Sequence, residues 1–313
     1  MKRYLLTLLF TSGIIGLYGQ ERPIAKVHYT FKHMNDTTQR EKFTRDEVVT
    51  YLENGQSWYT SYSLTRMQEE TKRQMEAADF GGRVVFSKNT NAIKESYLLE
   101  PAAHSLVEVV RISRDEFILA STYPVQDWEI QDETTDIGGY TCQKATTNFR
   151  GRNYVAWFTT ELPFSFGPWK LHGLPGLILS AHDDKNEVSF TYLGFDKVSA
   201  DSKVAFGPSD AAIKSTPAEV EKLEKAFKAN PMAYIQAKQS SAANGGKASV
   251  ILSSSGTAST AGTPAGGNSF TVTGRSGSSA GAMEMNKLTS ITIKNEEGYK
   301  PSELTNNPIE IDE

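Results

Sequence analysis

The sequence predicts a mainly β protein: a curved antiparallel sheet, half-barrel-like, with one or two packed helices. Three observations predict it. Short segments in which apolar and polar residues alternate recur at fairly regular intervals, bounded by Asn, Gly, Pro, Ser or Asp. Between residues 140 and 160 both faces of the alternating segments are apolar or aromatic, as in a sheet that is covered on both sides or lines a cavity. Only one stretch carries a full set of helix start signals.

In chain order, Ala25 to Lys32 alternates as a half-buried strand should. Ser57 to Leu64, rich in Trp, Tyr, Ser and Thr, reads as a strand, and the polar run Thr65 to Ala78 admits a helix with a weak stripe from Leu64, Met67 and Thr71. Arg83 to Phe86, Ser96 to Leu99, Ser105 to Ile112 and Glu116 to Ser121 are spaced as an antiparallel meander. Tyr140 to Phe149 and Asn153 to Thr160 form a hairpin about Arg150-Gly151-Arg152. Leu177 to Ala181 and Val188 to Phe195 form a second, about the Asp183 to Asn186 turn. Thr216-Pro217-Ala218-Glu219 offers an N-cap hydroxyl, a proline where no amide donor is needed, and a glutamate that can reach back to the cap. Val220, Leu223 and Phe227 follow on one face, and Asn230-Pro231 breaks or restarts this helix before Lys238. Leu288 to Ile293 alternates as a returning strand.

The organisation expected is a signal peptide over 1–19, a β-rich main domain over 20–239, a flexible Gly/Ser-rich insertion over 240–282, and a C-terminal strand and tail over 283–313 that rejoin the main domain. Met-Lys-Arg followed by the apolar run Tyr4 to Tyr18 has the form of a secretory leader cleaved near Gly19. Export meets an oxidising compartment, yet the single cysteine, Cys142, rules out an intrachain disulfide and is expected to be a small buried hydrophobe. No cysteine follows the apolar run, so no lipid anchor is expected there. No later apolar stretch approaches the roughly 18 residues of a spanning helix. The expected location is therefore periplasmic or secreted, soluble after cleavage. With 33 basic and 37 acidic residues and a net charge of −4, the chain has no basic face for a nucleic-acid backbone.

Motifs for catalysis fail on context. Gly277-Ser278-Ser279-Ala280-Gly281 spells a nucleophile elbow, but it sits in low-complexity sequence rather than between a strand and a helix. Gly167 to Gly176 is glycine-rich beside Lys170, yet it lacks the Gly-Lys-Ser/Thr ending of a phosphate cradle, and Pro168 and Pro175 remove two amide donors. The histidines at 28, 33, 104, 172 and 182 show no paired helical spacing, so neither a metal nor a cofactor is expected. A carboxylate pair assembled in space stays open, since sequence cannot show one.

At Gly139 to Ala145, Ala156 to Thr159, Gly167-Pro168-Trp169-Lys170 and Gly173-Leu174-Pro175-Gly176-Leu177-Ile178 the chain resembles the GLPGLI family of exported Bacteroidetes proteins. The resemblance covers about residues 24–200, with Asn307 to Glu310 similar to family C-termini, and it implies a compartment and lineage but no reaction. Physically, Gly173 and Gly176 permit a tight loop, Pro175 stiffens it, and Leu174, Leu177 and Ile178 dock it on the core. Trp157, Trp169, Lys170 and His172 are the candidate ligand-binding residues, because they would place aromatic surface and polar groups beside that loop. The layout is similar to half-barrel envelope lipoprotein carriers. The leading expectation is a non-enzymatic binding, carrier or accessory protein for an apolar envelope ligand, a lipid or peptide, or an outer-membrane partner. The alternative is an envelope hydrolase acting on peptide or glycan through carboxylates or His172.

Overall fold

Alternation with β-branched and aromatic residues on both faces leaves these segments one stable outcome, a sheet covered on each side. The computed structural model describes residues 24–88, 92–199, 204–234, 237, 290–295 and 305–311. Its strands are β1 (Ala25–His33), β2 (Thr44–Glu53), β3 (Gln56–Ser61), β4 (Arg83–Lys88), β5 (Glu95–Glu100), β6 (Ser105–Ile112), β7 (Asp115–Ser121), β8 (Glu129–Ile137), β9 (Tyr140–Phe149), β10 (Arg152–Thr159), β11 (Leu177–Asp183), β12 (Val188–Lys197), β13 (Ile213–Lys214) and β14 (Ser290–Asn295). The helices are α1 (Ser63–Glu76) and α2 (Pro217–Ala229).

Twelve strands form one sheet in the order β13-β7-β6-β5-β3-β2-β1-β12-β11-β10-β9-β8, antiparallel except where β13 joins β7 in parallel. The protein is thus mainly β with few helices. The sheet is strongly curled. β6 and β10 stand seven positions apart, more than about 30 Å in a flat sheet, yet Glu108 of β6 and Arg150 beside β10 line one cleft. The largest core fills the inner face, with Tyr29, Leu52, Leu99, Tyr154, Phe158 and Phe190 each at most 2% exposed. Val49, Tyr51, Trp58 and Val109 form a second core on the outer face.

The capping box is present: Thr216 Oγ1 accepts from the Glu219 amide at 3.3 Å, and Glu219 Oε2 accepts from the Thr216 amide at 2.9 Å. It launches α2 so that Val220, Leu223 and Phe227 cover Val110, Ile112, Phe117 and Leu119. Asn230 ends that helix and its Oδ1 caps the next turn through the Ala233 amide at 3.0 Å. α1 buries none of its residues, in keeping with its weak stripe.

Three differences from the expected elements have physical causes. β2 was not anticipated, because Arg45, Asp46 and Glu47 mask its alternation; Asp46 is nevertheless fully buried, held by the Ser63 hydroxyl and by the Ile93 amide at 2.8 Å. β8 was also not anticipated: it is an edge strand with no buried residue, so it has no apolar period to read. β4 leaves the meander and pairs in parallel with β14, while β3 pairs directly with β5. The Gln74 side chain on α1 holds β4 away, bonding the Val85 amide and carbonyl at 2.9 Å each. The expected leader and the Gly/Ser insertion lie outside the described residues. Among the described residues no helix is long and apolar enough to cross a membrane.

Candidate functional site

The inner face opens into a cleft of about 820 Å³. Its floor is aromatic: Phe31 stacks on Phe190 at 5.1 Å between centroids, Tyr59 on Tyr97 at 6.1 Å, and Trp169 closes one end. Its walls are charged, with Lys94, Arg150 and Lys170 set against Glu95, Glu108 and Glu310. Tyr97 lies at the centre. Burial pushes its phenol well above the ordinary value, and Glu108, Glu95 and Glu310 push it further in the same direction.

Lys170 ties the site together. Only 5% exposed, it sets its ammonium 4.9 Å from the Tyr97 ring centroid and 5.6 Å from that of Trp169, and it pairs with Glu310. The loop that delivers it is locked by backbone proximity. Trp169 adopts a left-handed φ of 57°. A Cβ on Gly176 would stand 2.0 Å from the Thr159 carbonyl oxygen, so only glycine fits there. Leu174, Leu177 and Ile178 are each at most 1% exposed, and Ile178 accepts the Tyr29 hydroxyl through its carbonyl at 2.7 Å.

The candidate residues named from sequence fall in three places. Trp169 and Lys170 meet in the cleft. His172 lines a second cavity of about 570 Å³ with Tyr123, Phe164 and Phe166. Its Nε2 lies 2.9 Å from the Pro124 carbonyl oxygen and its ring 5.3 Å from Tyr123, while burial pushes its pKa down. The Pro124 carbonyl accepts from Nε2–H, which fixes the tautomer and leaves the basic lone pair on Nδ1. Trp157 points to the opposite face of β10 from Tyr154 and Phe158, its ring 5.9 Å from the Lys144 ammonium. Cys142 is fully buried and its thiol is pushed up to about 11. Among the described residues no group of three or more His, Cys, Asp and Glu is arranged to hold a metal ion.

Sequence reasoning missed Tyr97, Glu95, Glu108, Arg150 and Glu310. One signal was available: Glu108 interrupts the inward row Leu106, Val110 and Ile112 of β6, and a charge in a core row needs a reason.

Residues 45–205 match the family model described as N-glycanase peptide, N-terminal domain. The chain belongs to this family. That match corrects the GLPGLI resemblance, whose hexapeptide at 173–178 lies inside the matched stretch; the loop's packing accounts for those residues without that lineage. Structures of PNGF-II, the first in space group P21 and the second in C2, are similar at 12% identity and a TM-score of 0.44 each. The first covers 64% of this chain and 33% of its own, the second 63% and 32%. The chain therefore spans about a third of the length of those PNGF-II chains. An uncharacterised conserved protein from Thermus thermophilus shows 7% identity and a TM-score of 0.32 over 61% of this chain and 90% of its own. No curated protein matches.

Membership in the N-glycanase N-terminal domain family overturns the expected role as carrier of an apolar ligand. The cleft supplies the physical reason: an apolar chain entering it would lie against charged walls, among them Glu108, Arg150 and the Lys170–Glu310 pair, and return no hydrogen bonds.

Proposed function

We propose that this protein acts outside the cytoplasm in the hydrolytic release of N-linked glycans from glycopeptides, with the inner-face cleft engaging the glycopeptide. The observation that carries the reading is the family match over 45–205, a span that contains β5, β6, Arg150, Trp169 and Lys170. Three cationic and three anionic side chains leave the cleft balanced, which suits an uncharged ligand rich in hydroxyls. The five rings of the floor are each at most 7% exposed, so the charged walls supply most of the contacts to a ligand. Hydrolysing the glycan–asparagine amide requires a proton delivered to the leaving nitrogen and one removed from the attacking water. Glu95 and Glu108, both beside Tyr97, are the carboxylates assigned to those two tasks.

A second reading, recognition without cleavage, needs only the charged walls of the cleft to hydrogen-bond the glycopeptide. One experiment separates them: incubate the protein with a peptide carrying one N-linked glycan and follow it by mass spectrometry, with binding measured in parallel. Release converts the asparagine to aspartate, and Glu108→Gln should lower its rate by about 100-fold. Binding without release establishes the second reading. Neither binding nor release overturns both.

A further inference from the structure

The loop that carries Lys170 into the cleft places His172 against the second cavity, of about 570 Å³. The backbone there is fixed from both sides. Phe166 and His172 form an antiparallel bridge, the Gly173 amide donates to the Ser165 carbonyl at 3.0 Å, and Trp128 Nε1 donates to the His172 carbonyl at 2.7 Å. The ring is fixed as well: Nε2–H donates to the Pro124 carbonyl at 2.9 Å, and Tyr123 packs edge to face at 5.3 Å between centroids.

His172 is only 8% exposed, and among the described residues no donor meets its Nδ1. That atom nevertheless keeps contact with solvent, and the space its ring borders is the cavity. An acceptor lone pair so placed is satisfied by water or by a donor that a ligand brings. Burial pushes the pKa of the ring down, so the lone pair is retained at neutral pH.

The remaining walls set the character of that ligand. Tyr123 and Phe164, both half-buried, and Pro101, Ala102 and Pro163 present apolar surface. No Lys or Arg is among the described residues that line the cavity, so an anion would meet no counter-charge there. Its volume lies within the range of about 300–1,000 Å³ typical of small-molecule sites.

We propose that the second cavity is a binding site, separate from the inner-face cleft, for an uncharged aromatic group that carries an N–H donor, of which indole is the simplest. The ring lies against Tyr123 and Phe164, and its N–H is donated to His172 Nδ1. This assignment does not rest on the glycopeptide reading of the cleft.

The test titrates the full chain with indole and with benzothiophene, a ring of the same shape in which sulfur replaces the N–H. The wild type should bind indole about fivefold more tightly, and indole should slow hydrogen exchange at 53–55 and 163–166. His172→Gln keeps an amide donor for the Pro124 carbonyl and removes the Nδ1 lone pair. Its indole affinity should fall to that of benzothiophene or below, with benzothiophene binding unchanged; a merely structural role for His172 would weaken both ligands alike and contradict the proposal. N-acetyltryptophanamide, titrated in parallel, distinguishes the sources of the ring: binding marks a tryptophan side chain as the ligand, and failure beside bound indole marks a free heterocycle, either of which upholds the site. If the wild type does not bind indole, or binds benzothiophene equally well, the assignment is overturned, and that reading needs no variant to fold.

Discussion

The Lys170 ammonium, carried by the loop after β10, lies 4.9 Å from the centroid of the Tyr97 ring on β5. Those strands stand six positions apart in the sheet, so the contact exists only because the sheet curls and the loop folds back across its inner face. Lys170→Met keeps the stem of the side chain but leaves Glu310 without its closest cation. Because Glu310 is partly solvated, the expected loss is about 1–3 kcal/mol, below that of a fully buried pair. A denaturant midpoint read beside glycopeptide affinity checks this: both should fall.

Arg152 is the costlier cation. Its partners Asp183 and Glu187 have side chains 1% and 8% exposed. Arg152→Met would strand their charges and orphan the Pro308 and Ile309 carbonyls, to which Arg152 donates. A loss of about 3–5 kcal/mol is expected, with fast hydrogen exchange at 305–311. Retained protection there would show that the segment is held by something other than Arg152.

Two glycines of the loop separate crowding from backbone strain. Gly173 has a φ of 92° with open space where a Cβ would sit, whereas Gly176 is crowded by the Thr159 backbone. Gly173→Ala should cost about 1–2 kcal/mol through the left-handed conformation alone. Gly176→Ala should cost about 3 kcal/mol or more, because the colliding atom is backbone and cannot rotate away. Thermal melts of both variants rank them, and the reverse order would contradict the loop packing described.

Asp46 makes a pH prediction. Burial is the largest influence on its carboxyl and, against hydrogen bonds that act the other way, raises it from 3.8 to about 6. A carboxyl raised in the folded state binds its proton more tightly there than in the unfolded chain. Its contribution is therefore full below about pH 4 and lost as pH rises through 6. Asp46→Asn, which cannot ionise, should gain on the wild type by about 2–3 kcal/mol between pH 4 and pH 8. Unfolding free energies at several pH values measure the difference; a constant gap would rule out ionisation of Asp46 as its source.

How much was legible follows from what each residue signals locally. The hairpins of β9–β10 and β11–β12 and the cap of α2 were readable because alternation, turn residues and Thr216 to Glu219 act over a few positions. β8 was not, since an edge strand that buries nothing leaves no period. Trp169 and Lys170 were found because they adjoin a glycine-rich loop, and Trp157 and His172 were grouped with them by nearness in sequence, which the alternation of β10 and the turn through Trp169 and Lys170 undo. Glu310 reaches the cleft through contacts with Lys170 and Arg150, 140 and 160 positions away, and no local pattern encodes such a meeting.

The most direct test of the central claim is hydrogen exchange of the full chain with and without an N-glycopeptide. Slowed exchange at residues 95–110 and 305–311, with none at 53–55 and 163–166 around the second cavity, is the predicted result. Protection confined to the second cavity, or no change anywhere, would contradict the assignment of the inner-face cleft as the glycopeptide site.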